Sequence, residues 1–303
     1  MNLNVLLTRM SYPTGVVLVL CAGMFWSIIP VGVRSFEHAA VWQILFYRSL
    51  GVLPLVYALI YFQSNGKAIQ DIRRSGRAGL FGAVGLAAAY AGGIAAVLHT
   101  SIANAAFLFA TAPFMAALLG WLALHEPIRK ATSAALVIAL MGTLLMVLDN
   151  FSHGNWLGDI LALLSAVGFA VFTVSLRASK NQNSLPVVFL GALLAILIAG
   201  VMATQHPQGI LIPMKEIGLA LGLGFFVLGV GMVLCTLGSK VVPAAELALL
   251  CMTEVIFAPI WAMLFLSEIP DVAVLIGGGI VVFAIILNAV SGIKRRPPLG
   301  TSC

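Results

Sequence analysis

The stretch AELALLCMTEVIFAPIWAMLFLSEI, Ala245–Ile269, has a counterpart earlier in the chain: ANAAFLFATAPFMAALLGWLALHEP, Ala103–Pro127. The two align without a gap at an offset of 142, which sets Ala245 on Ala103, Thr253 on Thr111 and Glu268 on Glu126. Each is a run of about 20 apolar residues, long enough to cross a bilayer as a helix. Each closes on a bulky apolar patch, a glutamate and a proline within two residues. A second correspondence, at a slightly larger offset, joins LCAGMFWSIIPVGVR (20–34) to LSAVGFAVFTVSLR (164–177). The chain therefore reads as two copies of one unit.

Composition agrees with a lipid setting. Of 303 residues 61% are hydrophobic and 9% charged, where soluble domains carry roughly 25% charged residues. The mean hydropathy is +1.10. One soluble core cannot absorb so much apolar surface, so the class is integral membrane protein. In lipid only helices and closed barrels satisfy every backbone group, and long runs without alternation mean helices. Ten runs are expected, at 13–33, 41–62, 78–97, 102–123, 131–148, 157–176, 185–204, 216–238, 243–266 and 272–291. The first is too long, and too similar to those that follow, to read as a cleaved signal peptide.

Charge placement tests the count. With the N-terminus in the cytoplasm and the spans alternating, Arg9, Lys67, Arg73, Arg74, Arg77, Arg129, Lys130, Arg177, Lys180, Lys240, Lys294, Arg295 and Arg296 fall inside. Only Arg34 and Lys215 fall outside, and Arg48 lies within the second run. Thirteen against two obeys the excess of Lys and Arg in cytoplasmic loops, and a miscounted span would scramble it. The expected fold is all-α, with ten transmembrane helices as two five-helix repeats, 1–149 and 150–303, the second with a short basic cytoplasmic tail. Five is odd, so the second copy inserts upside down. Inverted repeats set a pseudo-two-fold axis in the membrane plane and a site near the midplane.

The residues that carry the repeat also carry a likeness. LGWLALHEP and LFLSEIP resemble the end of the fourth helix of the EamA-type unit. FYRSL (46–50) resembles its second helix, where an Arg is common, and GMFWS (23–27) its first, which often has a Trp. The resemblance spans nearly the whole chain in two copies. It implies a member of the drug/metabolite transporter superfamily: an inverted repeat working by alternating access on small metabolites, as exporters of amino acids and related compounds or importers of vitamin- or nucleoside-like ones. The second copy departs from the pattern. The seventh run has no Arg matching Arg48, and Ala170 stands near the place of Trp26, so any site is asymmetric.

Polar residues in apolar runs are the site candidates, because an ionisable side chain there must face protein or water. Glu254 is read as a proton-titrating group or a counter-charge for a cationic substrate group, against a neutral acid bonded to a neighbouring helix. Glu246, Leu250, Thr253 and Glu254 are expected to share one face toward a central cavity; alternatively Glu246 snorkels or pairs with Lys240. Arg48 either pairs with a buried acid, binds a substrate carboxylate, or snorkels. Trp26 stacks on a substrate, gates, or packs. Tyr90, in AAAYAGG, needs a hydrogen-bond partner. Asn104 and Thr111, seven apart, serve either helix contacts or substrate. His99 reads as a hydrated residue at a helix end, and Glu126 as an ion pair or cap with Arg129 and Lys130. Pro113 and Pro259 are expected to kink the fourth and ninth spans.

Enzyme signatures are absent: no P-loop, no paired acidic site and no HExxH. No cofactor or metal is expected, and the four cysteines, Cys21, Cys235, Cys251 and Cys303, suggest no disulfide framework. The basic runs are too short for nucleic acid. The expected partners are a small-molecule substrate, membrane lipid and protons as a candidate coupling ion, with monomer and homodimer both open. The reading is a secondary carrier in a bacterial-type inner membrane, with a passive facilitator or channel as the alternative.

Overall fold

A computed structural model describes residues 10–100, 102–147, 156–179, 184–207, 209–267 and 272–293. Among them, nine helices are long and apolar enough to cross a membrane, and a tenth apolar helix, Lys130–Met146, is shorter. Ten helical spans result, as the sequence predicts.

The first span is α1 (Tyr12–Trp26) continued after a break by α2 (Ile29–Arg34), with Pro30 in the first turn of α2. Proline lacks the N–H that the first turn does not need, so it restarts a helix readily. The second span is α3 (Val41–Gln63), followed by the short α4 (Ala68–Arg74). The third is α5 (Gly76–His99), and the fourth is α6 (Ile102–Phe109) with α7 (Ala112–Leu124). The fifth is α8 (Lys130–Val147), the sixth α9 (Trp156–Ala178) and the seventh α10 (Leu185–Thr204). In the eighth, α11 (Met214–Gly222) and α12 (Val230–Gly238) flank a π-helical segment, Leu223–Gly229. The ninth is α13 (Ala244–Cys251) with α14 (Thr253–Leu266), and the tenth α15 (Val272–Ile293).

The packing has the symmetry of a repeat. Spans three and six pack together, as do eight and one; four touches six, as nine touches one; two meets seven, four meets nine and five meets ten. Exchanging the halves maps this set onto itself. Local geometry repeats too. Span four breaks at Thr111, whose hydroxyl donates to the Leu108 carbonyl at 2.6 Å. Span nine breaks at Met252, where the Thr253 hydroxyl donates to the Leu250 carbonyl at 2.6 Å. Both spans end on a left-handed residue, His125 (φ 52°) and Ser267 (φ 55°), 142 positions apart.

Of the two prolines expected to kink their spans, Pro113 lies beside a break and Pro259 does not. Pro113 sits in the first turn of α7, where it starts a helix, and Pro259 lies inside α14, well past the Met252 break. Close crossings use glycine. A Cβ on Gly168 would lie 2.6 Å from the Gly85 carbonyl oxygen, so α5 and α9 approach backbone to backbone.

Candidate functional site

Spans one, two, three, four, six, eight and nine surround a chamber of about 410 Å³. Trp26, Arg48, Tyr90, Phe109, Phe169, Met232 and Glu254 supply its larger side chains. It runs from mid-span toward the end of the bundle that carries Arg34 and His99, as Ile29, Pro30, Ile94, Ala96, Ala105 and Ala162 line it there.

The chamber sits on the repeat. Ala106, Phe109, Ala110, Ala112 and Pro113 line it, and so do Ala248, Cys251, Met252, Glu254 and Val255, each 142 positions later. Tyr90 and Met232 correspond at the same offset. The charges break the symmetry: Glu254 stands where the first half has Ala112.

Glu254 lies in the first turn of α14, where the helix N-terminus favours a negative charge by about 0.3–1 kcal/mol. The helix break at Met252 brings that terminus to the chamber wall. Among the described residues the carboxylate accepts no hydrogen bond and makes no ion pair.

Arg48 is the other charge. It is 9% exposed and lines the same chamber. Among the described residues its Nε has no hydrogen-bond partner, and its guanidinium stands over the Tyr90 ring, 5.3 Å from the centroid. The buried acid expected as a structural partner is not there among the described residues. A cation–π contact is worth up to roughly 2 kcal/mol when desolvated, less than the about 2.5–3.5 kcal/mol that insertion scales assign to a mid-helix arginine. The Tyr90 hydroxyl is likewise buried without a partner. Arg48 is held from behind by backbone: a Cβ on Gly224, in the π-helical segment, would collide with the Arg48 carbonyl oxygen. The extra residue of a π turn is a common mark of functional sites.

Trp26 ends α1 at the break in span one. Its Nε1 donates to the Leu228 carbonyl at 3.5 Å, and its ring meets Phe169 edge-on at 6.2 Å. Phe109 meets Phe169 in a tilted contact, with ring centroids 5.8 Å apart. When Arg34 is set on Arg177, Phe169 falls on Trp26, so the aromatic wall also crosses the two halves.

Glu246 requires a correction. It is 2% exposed, lies on α13 and does not line the chamber. The break at Met252 separates its helix from that of Glu254, so the expected common face does not form. Its partner is Arg129 rather than Lys240. Arg129 Nε donates to Glu246 Oε1 at 3.0 Å, and the Tyr12 hydroxyl donates to Oε2 at 2.7 Å. Arg129 also reaches Asn288 Oδ1 at 3.2 Å and Ser291 Oγ at 3.3 Å. Glu126 pairs with Arg177 at 2.7 Å, not with its neighbours Arg129 and Lys130. Arg177 donates as well to the Lys240 carbonyl at 2.7 Å. These two clusters close the basic end of the bundle, opposite the end toward which the chamber runs.

Thr111 and Thr253 both spend their hydroxyls on their own helix breaks and do not line the chamber. The side chain of Asn104 lies outside the described residues, as do Glu268 and Cys303. Sequence reasoning missed Phe109, Phe169, Met232 and Ser165. The only available signal for Phe169 was its register with Trp26.

Comparison with known proteins accords with this geometry. The profile of the EamA-like transporter family matches residues 13–148 and again 156–290. The pseudopaline exporter CntI of Pseudomonas aeruginosa PAO1 is 28% identical over 276 residues, which cover 90% of this chain and 95% of the exporter. The same exporter from strain UCBPP-PA14 is 28% identical over 278 residues, with the same coverage. A solved crystal structure superposes over 94% of this chain and 100% of its own, with a TM-score of 0.81 and 17% identity, and speaks to the fold alone. With both halves matched, this chain belongs to the EamA-like transporter family of the drug/metabolite transporter superfamily and is a multi-pass membrane protein.

Proposed function

We propose that the protein is a secondary carrier that moves a small organic metabolite across the inner membrane by alternating access. The observation that carries the reading is the chamber itself. It lies between the two halves, holds an arginine and a glutamate without mutual pairing, and is closed at the basic end by ion pairs that join those halves. Pairs of that kind can part and re-form, which a rigid scaffold would not need. By the excess of basic residues, the closed end faces the cytoplasm and both termini lie there. The chamber then belongs to an outward-facing state. The kinship with an exporter favours efflux as the direction.

Reconstitution in liposomes tests this. Counterflow of a radiolabelled metabolite, saturable and dependent on unlabelled solute inside, is the expected result in a screen of amino acids, nucleosides and vitamins. A current that does not saturate would make the protein a channel instead.

Proton coupling is a separate part of the reading. The titratable groups on the chamber wall are Arg48, Tyr90, Cys251 and Glu254, and a carboxylic acid is the natural proton carrier among them. Glu254→Gln is expected to abolish transport driven by a pH gradient while solute exchange without a gradient persists. Gradient-driven transport that survives the substitution removes Glu254 from that role.

A further inference from the structure

We infer that the connection between spans two and three, built around α4, binds the anionic headgroups of membrane phospholipids. Such a site stands whether or not the chamber is a carrier's. The connection holds Lys67, Arg73, Arg74 and Arg77, and Asp71 is the one acid among residues 64–80. All four cations are exposed. Among the described residues, none of their side chains makes a hydrogen bond or an ion pair. Two arginines at the same end of the bundle differ in this respect. Arg129 donates to Glu246 and Asn288, and Arg177 to Glu126 and the Lys240 carbonyl. Those two fasten the protein to itself, whereas the donors of the α4 cluster face outward.

The cluster is held in a defined place. One face of α4 docks on the bundle, with Ala68 buried and Ile72 packed against the core, and the helix touches spans two and seven. At its end the Ser75 hydroxyl donates to the Ile72 carbonyl at 2.7 Å, and Gly76, at φ 59°, turns the chain directly into α5. Ile69 and Arg73, four apart and so neighbours on the helix surface, are both exposed. Exposed apolar side chains flank the cations on either side: Phe62 at the end of α3, and Leu80 and Phe81 near the start of α5. Cations set beside an exposed apolar band match a lipid in both of its parts. The phosphodiester accepts from the guanidinium forks, and the acyl chains cover the apolar side chains. Clustered Lys and Arg immediately beside a transmembrane helix on the cytoplasmic side have this charge complementarity to anionic lipid. A free phosphate would use the charges and leave Phe62, Ile69 and Phe81 uncovered.

The test is lipid binding by the full chain in a neutral detergent. The protein is titrated with phosphatidylglycerol and, separately, with phosphatidylcholine, while native mass spectrometry counts bound lipid and the unfolding temperature is followed. Each basic residue at an anionic surface contributes about fivefold in affinity. Phosphatidylglycerol is therefore expected to bind about tenfold or more tightly than phosphatidylcholine and to raise the unfolding temperature, and both effects should shrink in about 0.5 M salt. Arg73→Gln combined with Arg74→Gln is expected to weaken phosphatidylglycerol about 25-fold and to leave phosphatidylcholine unchanged. Arg73→Lys combined with Arg74→Lys keeps the charge and should keep most of the preference. Lys130→Gln, which removes an exposed cation at the start of α8, should leave the preference within about twofold. Equal binding of the two lipids by the wild type overturns the inference, and that comparison depends on no variant. A loss in Lys130→Gln as large as in the Arg73 and Arg74 variant overturns it too, since the field of the whole basic end would then attract the lipid. Displacement of phosphatidylglycerol by inorganic phosphate, at concentrations too low to screen charge, would make this a site for a free anion and overturn it likewise.

Discussion

Glu246 and Glu254 are eight residues apart, yet they meet opposite fates. Glu246 is enclosed by Arg129 and Tyr12, and Glu254 faces an open chamber. An apolar run flags both acids as needing company, but it cannot say what arrives to meet them. Arg129 lies 117 positions from Glu246 and comes from another span. Arg48, Trp26, Tyr90 and Glu254 were legible for the same reason: each is a polar or amphipathic group where lipid tolerates few. Phe109, Phe169 and Met232 were not, because an apolar side chain in an apolar span looks the same whether it faces lipid, core or cargo. The two acids should also respond differently to mutation. Arg129→Gln removes the guanidinium that meets buried Glu246 and is expected to cost up to about 3–5 kcal/mol, while the double variant with Glu246→Gln recovers much of the loss. Thermal unfolding in detergent of the wild type, both single variants and the double variant measures the coupling. Additive losses would mean that the pair does not act as a unit.

At the scale of elements, the number and order of the spans could be read from hydropathy and loop charge, while their interruptions could not. The breaks at Trp26–Ile29, Phe109–Ala112 and Met252 lie inside continuous apolar runs. Irregular backbone at that depth is tolerated where it borders a cavity or other protein, and two of the breaks carry Thr hydroxyls that cap them locally. Prolines were the visible signal and marked the breaks only in part, since Pro113 adjoins the Thr111 break while Pro259 sits inside α14 and not at Met252. Glycine crossings were visible only as composition. Gly168→Ala sets a methyl group 2.6 Å from the Gly85 carbonyl oxygen and forces α5 and α9 apart, a cost of about 1–3 kcal/mol by overpacking. Gly278→Ala meets nothing within 4 Å and is expected to leave stability unchanged or slightly raised. A lower unfolding temperature for the first variant alone supports the crossing. Equal effects would contradict it.

Across the whole molecule, the repeat could be read from one ungapped alignment, but the state in which the two halves rest could not. On the carrier reading proposed above, that state depends on side chains at the basic end. Arg177 of α9 ties Glu126, just past α7, to the carbonyls of Ser239 and Lys240 between spans eight and nine. Arg129 ties α13 to α15. Opening the chamber at that end requires these ties to part, so weakening one should shift the balance of states. Glu126→Gln removes a charge-assisted bond worth about 1.5 kcal/mol or more, roughly a tenfold change in population. A reporter cysteine at Ala248, which lines the chamber on α13, can read the shift once Cys21, Cys235, Cys251 and Cys303 are replaced by serine or alanine. In oriented vesicles, a membrane-impermeant thiol reagent added on the side of Lys240 is expected to label Ala248→Cys slowly in the otherwise native protein and several-fold faster with Glu126→Gln. From the opposite side, the same substitution should slow labelling. Rates that do not change on either side would mean that the ion pair fastens the bundle without governing which end is open, and alternating access would need a different hinge.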